Sequence, residues 1–147
     1  MKYLNWKSNI KFFTIIIPYV LMTYWLLWPY TPIVIHNIDI MNKDKIVYIG
    51  EELVYETNYI KNKSYPVVKV TRQLISTDGT NTVIVLPKGK DSRLPIGNNK
   101  VRVSVLISDK ICPKNYIFHL TAEYQVNFFR TETVIAESGE FTIEKKE

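Results

Sequence analysis

The sequence predicts an all-β fold: an antiparallel β-sandwich of seven or eight short strands, preceded by one N-terminal transmembrane helix. Three observations carry this expectation. Residues 12–28 (FFTIIIPYVLMTYWLLW) contain no charge. From residue 33 onward, apolar side chains recur with period two, the spacing of a strand with one buried face. No stretch beyond the leader shows the 3.6-residue apolar period of an amphipathic helix.

The leader divides into residues 1–11, a cytoplasmic N-terminus; 12–28, a signal anchor; and 29–32, a stiff Pro-containing connector. A bilayer core takes about 20 helical residues, with roughly 17 as the lower limit. Trp6 lies before the run, while Trp25, Trp28 and Tyr30 lie at its far end, the spacing of two interfacial aromatic belts. Pro18 predicts a local kink, which membrane helices tolerate. A cleaved signal peptide would instead show a shorter apolar run and then small residues. Here the run closes on Leu26-Leu27-Trp28-Pro29-Tyr30. Lys2, Lys7 and Lys11 precede the run, and the next basic residue is Lys43. Basic residues stay on the cytoplasmic side. The expected location is therefore the inner (plasma) membrane, single-pass, with residues 33–147 periplasmic or extracellular and the lipid bilayer as one partner.

The β domain follows element by element. Ile33–Met41 alternate loosely and end at the polar turn Asn42–Lys45. Ile46–Ile49 form a short piece stopped by Gly50. Leu53–Ile60 place Leu53, Tyr55 and Tyr59 on one face, and Val67–Ser76 place Val68, Val70 and Leu74 in phase. The turn Thr77–Asn81 carries an Asp-Gly signal and leads to Thr82–Leu86. Residues 87–100 (PKGKDSRLPIGNNK) are the longest irregular stretch, because two prolines and two glycines suit no strand interior. Lys100–Ser108 resume the alternation. Asn115–Asn127 show it best, with Tyr116, Phe118, Leu120, Ala122, Tyr124 and Val126 on one face. Phe141 and Ile143 anchor the last strand. A barrel of similar strand number is the rival architecture; one-sided strands in this number favour two sheets over a shared core.

Composition limits the function classes. The net charge of +5 includes the three leader lysines; without them 16 basic residues face 14 acidic ones, which does not argue for nucleic acid. Cys112 is the only cysteine, so no internal disulfide can form. A lone thiol is most often buried, the alternatives being an intermolecular bridge or a redox role.

Ile111–Ala122 (ICPKNYIFHLTA) resembles the penultimate strand region of fibronectin type III and immunoglobulin-like domains, where a proline precedes a tyrosine that leads an alternating strand. The resemblance covers twelve residues and implies an Ig-like sandwich in which Pro113 and Tyr116 are structural, the Tyr116 hydroxyl bonding back to the chain just upstream. The Cys…Trp…Cys framework of antibody domains is absent. The whole layout also resembles single-span phage membrane proteins, which would imply action on a host envelope.

The chemistry-bearing residues are sparse. His36 and His119 have no partner motif, and no C-x-x-C or H-x-x-x-H spacing exists, so the expectation is no catalytic residue, no metal and no cofactor. No glycine pattern forms a phosphate loop. Arg72 breaks the apolar phase of its strand; either a bulge turns it outward or it is a buried, paired arginine. Lys88, Lys90, Arg93, Lys100 and Arg102 gather around the long loop, and Phe129 and Arg130 follow the best strand. These seven are the candidate partner-binding residues, with Phe128 expected to cap the core. The functional expectation is a non-enzymatic, membrane-tethered interaction module that binds another envelope protein and no small-molecule substrate. The alternative is an accessory or structural subunit of a larger membrane complex.

Overall fold

The computed structural model describes the backbone of residues 6–27, 31–80, 82–86 and 95–146, with side chains from residue 13 onward. The chain forms two compact units, residues 1–30 and 31–147.

The first unit is one helix, α1 (Trp6–Leu27), with Pro18 inside it. Among the described residues, no helix is long and apolar enough to cross a membrane, which overturns the expected transmembrane signal anchor. The first helical turns carry Lys7, Ser8, Asn9 and Lys11. The uncharged remainder, residues 12–27, rises about 24 Å at 1.5 Å per residue. That falls short of a hydrocarbon core of about 30 Å. Of the expected interface anchors, Trp25 is 44% exposed; the Trp6 side chain, Trp28 and Tyr30 lie outside the described residues.

The second unit is built from β1 (Ile33–Ile40), β2 (Ile46–Tyr48), β3 (Glu52–Lys61), β4 (Val67–Ser76), β5 (Val83–Val85), β6 (Gly97–Leu106), β7 (Lys114–Asn127) and β8 (Arg130–Glu144). A single 3-10 turn at Lys43–Lys45 separates β1 from β2, and there Asp44 and Lys45 take positive φ. The strands make one eight-stranded sheet in the order β5-β4-β7-β8-β1-β3-β6, with β2 attached to β8. This corrects the expected Ig-like sandwich of two antiparallel sheets. The physical reason is β8. It pairs antiparallel with β7 along its length, touches β1 in parallel register at Ile38–Ser138, and takes β2 in parallel at its end. The sheet therefore runs unbroken from one half to the other and curls over on itself, between the sandwich and the barrel readings. One-sided alternation is the same in all three architectures, so periodicity alone could not choose among them.

The curl brings β4 and β7 opposite β3 and β6. Tyr55 of β3 meets Phe118 of β7 with ring centroids 4.3 Å apart. Around them Leu53, Leu74, Ile107, Tyr116, Phe141 and Ile143 are almost wholly buried. The Tyr116 hydroxyl donates to the Cys112 carbonyl at 2.9 Å. Cys112 itself is exposed rather than buried.

At this end of the sheet Asp78 closes the β4–β5 turn. Its carboxylate accepts from the Ser76 hydroxyl and from the Thr80 N–H at 3.0 Å, and pairs with Lys114 at 2.8 Å. These donors, Lys114 foremost, hold the carboxyl well below its ordinary range. A depressed folded pKa adds stability only where the unfolded carboxyl is ionised, above about pH 4, and that stability is lost as pH falls. Asp78→Asn should therefore lower the melting temperature at neutral pH and flatten its decline on the acid side. An acid limb identical to wild type would show that the turn takes no part in acid denaturation.

Candidate functional site

The inward faces of the two halves do not meet along their whole length. Toward the Tyr55–Phe118 end they close. Toward the other end burial declines: on β3, Leu53, Tyr55 and Thr57 are buried, whereas Tyr59 and Lys61 are only partly so. On β4, Leu74 is fully buried, Arg72 and Val70 partly, and Val67 is exposed. The space left is a cavity of about 180 Å³ lined by residues of β1, β3, β4, β6 and β7 together with Tyr65. Its walls include Ile33, Ile35, Val70, Val101, Val103, Leu120 and Ala122, and its tyrosines are Tyr55, Tyr59, Tyr65 and Tyr124. From Tyr55 to Lys61 the β3 wall runs about 20 Å at 3.3 Å per residue.

Alternation explains this lining. Tyr55, Thr57, Tyr59 and Lys61 occupy alternate positions of β3, so all point to one face, while Glu56 and Asn58 point away. Residues Leu120, Ala122 and Tyr124 do the same on β7. Opposite them, β4 keeps unbroken register from Lys69 to Ser76, pairing Val70 with Ala122 and Arg72 with Leu120. The register shift in β4 lies between Val67 and Lys69, so no bulge turns Arg72 outward. Arg72 lines the cavity, and its Nε and Nη1 are buried without a hydrogen-bond partner. Of the two sequence readings, an outward bulge and a buried, paired arginine, the first does not hold and the second holds only in part: the guanidinium lies inside with these two donors unpaired. Burial pushes the Tyr55 phenol above its ordinary pKa, and the Arg72 charge offsets this in part.

Among the described residues, the lining holds no Asp, Glu, His, Cys or Ser. His119 sits elsewhere, with Nδ1 3.0 Å from Glu137 Oε1 and Nε2 3.0 Å from the Thr121 hydroxyl. His36 is exposed on β1. Among the described residues, no group of three or more His, Cys, Asp or Glu could hold a metal.

The residues singled out from the sequence are not gathered into one surface. Lys88, Lys90 and Arg93 lie outside the described residues. Lys100 pairs with Glu56 at 2.7 Å, and Arg102 stands directly across the β3–β6 ladder from Glu56, on the exposed side of β6. Phe129 and Arg130 belong to the two-residue turn between β7 and β8 and its edge, where Arg130 pairs with Glu132. Phe128 does not cap the core: it is 85% exposed, packs edge-on against Phe129, and leaves the turn's aromatic pair in solvent. Pro113 is exposed. The cavity was missed by sequence reasoning. Its signal was present in the inward phase of Arg72, the row of tyrosines, and small Ala122 among large neighbours.

No family model and no curated protein matches this sequence. Solved structures do match in fold. A Niemann-Pick type C2 protein from the Japanese carpenter ant superposes with a TM-score of 0.52 at 10% identity, over 81% of this chain and 96% of that one. A ceramidase complexed with C2 gives 0.48 at 14% identity, over 77% of this chain and 19% of its own. The neutral ceramidase from Pseudomonas aeruginosa gives 0.43 at 13%, over 83% and 20%. The chain thus spans about a fifth of the ceramidase chains it matches. At these identities the likeness is one of fold. In fold, the β unit is similar to the Niemann-Pick type C2 structure, where ICPKNYIFHLTA had implied an Ig-like sandwich.

Proposed function

We propose that the β unit is a binding module that holds a slender, lipid-like apolar ligand between the two halves of its curled sheet, without transforming it. The observation that carries this is the cavity itself: a mostly aliphatic and tyrosine-lined space, closed at the Tyr55–Phe118 end and open at the other. Well-packed interiors leave few voids larger than a water molecule. An apolar space of about 150 Å³ already holds a benzene ring, so one of about 180 Å³ suits a slim alkyl chain better than a bulky one. Binding rather than catalysis is favoured because, among the described residues, no Ser or Cys nucleophile with a His or carboxylate base faces the cavity.

The open end has a second feature that supports uptake of an apolar ligand. Tyr124 lines the cavity, and four residues later the chain reaches the exposed pair Phe128 and Phe129. Ile96, 63% exposed, immediately precedes Gly97, which pairs with Lys61 of the same end. Exposed apolar side chains around a mouth give a greasy ligand somewhere to land before it enters.

The test is a titration of the full-length chain with a neutral environment-sensitive dye such as N-phenyl-1-naphthylamine. Saturable enhancement with one dye per chain, reversed by dodecanol, is the expected result. Enhancement that never saturates, or none at all, would overturn the reading.

A further inference from the structure

Arg72 is out of place in an apolar cavity. A guanidinium stays protonated at every physiological pH and offers five N–H donors. Here Nε and Nη1 are buried and make no hydrogen bond. Among the described residues, the lining supplies no carboxylate, and Lys61, two rungs beyond Thr57 on the way to the mouth, is its other cation. Tyr55 is close enough to feel the Arg72 charge, yet burial raises its pKa and keeps the phenol neutral, so it is no counter-ion. Leu120 stands across the ladder from Arg72, and Val70 and Val103 belong to the same lining. Burying charged donors without partners is costly, and a ligand that brings its own acceptor oxygens removes that cost on binding.

We propose that the cavity selects amphiphiles with an anionic head, a carboxylate or a phosphate monoester, whose oxygens accept hydrogen bonds from the Arg72 guanidinium while the alkyl chain lies against the aliphatic walls. This rests on the apolar-ligand reading above and adds the charge of the head. Charge-assisted bonds to a planar guanidinium are stronger than neutral ones, so the head contributes discrimination as well as affinity.

The experiment compares three ligands of one chain length, dodecanoate, dodecyl phosphate and dodecanol, each below its micelle concentration, by displacement of the neutral dye from the full-length chain at neutral pH. Wild type should bind at least one of the anions about tenfold or more tighter than dodecanol, the gain of one charge-assisted bond in a dry site. The better of the two anions identifies the head. Arg72→Met, which keeps an unbranched apolar stem and removes the guanidinium, should lose that preference, so that the two anions and dodecanol bind within about threefold of one another. Arg72→Lys, which keeps the charge, should retain part of it and serves if the methionine variant folds poorly. Equal binding of all three ligands by wild type, or an undiminished anion preference in Arg72→Met, would overturn the proposal while leaving apolar binding intact. Failure of wild type to bind the dye or any alkyl ligand would instead sink the wider reading, and this proposal with it.

Discussion

Phe118→Ala is expected to cost the β unit about 3–5 kcal/mol, the usual loss for deleting a buried aromatic ring. Phe118 has no exposed surface. Its ring meets Tyr55 from the opposite half of the curl at 4.3 Å, so the contact spans strands far apart in the sheet order. Its backbone N–H donates to the buried Ser138 hydroxyl at 3.0 Å, which ties the same residue to β8. Removing the ring opens a void where the two halves close and extends the cavity into the core. Domains of this size are stable by about 5–15 kcal/mol, so the variant should sit near the edge of unfolding. Urea titration followed by tyrosine fluorescence would measure it, with Phe118→Leu as the milder control. A loss below about 1 kcal/mol would mean that the halves do not share one core.

Ala122→Trp is expected to abolish ligand uptake. Ala122 is 5% exposed, faces the cavity, and is flanked by Val70 on β4 and Val134 on β8. An indole grown from this position enters the space that an alkyl chain would use. Overpacking costs roughly 1–3 kcal/mol, less than the core deletion, so the variant should remain folded. Its affinity for the neutral dye should fall by about two orders of magnitude, equivalent to roughly 3 kcal/mol of lost binding. Unchanged dye binding in a folded Ala122→Trp chain would place the ligand elsewhere, on α1 or on the exposed Phe128–Phe129 turn.

Most strands were legible, and the reasons are local. Val101, Val103 and Val105 on β6, and Tyr116 to Tyr124 on β7, keep a strict inward phase that any β architecture would read the same way. The first two-thirds of β8 were not. Ile135, its largest apolar residue there, points outward at 59% exposure, while the inward positions are Val134, Ala136 and Ser138. A shift in the β7–β8 register between Ile117 and His119 then changes phase before Phe141 and Ile143. With β8 unread, its parallel contacts to β1 and β2 could not be foreseen, and these contacts join the halves into one sheet. The cavity was hidden for a related reason. Whether inward Tyr59, Tyr65 and Tyr124 pack against one another or line a space depends on how far the sheet curls, which no single strand records. Arg72 was visible as an anomaly of phase; its lack of partners depends on what the opposite half presents to it.

The most direct test of the ligand-holding sheet is a methyl-resolved NMR titration of the full-length chain with dodecanoate. Saturable shifts should concentrate on the methyls of Val70, Val103, Leu120 and Ala122, with the outward-facing Val83, Val85 and Ile135 unmoved. Shifts confined to the methyls of α1, or to Ile96 and other exposed positions while the inner four stay still, would contradict the account.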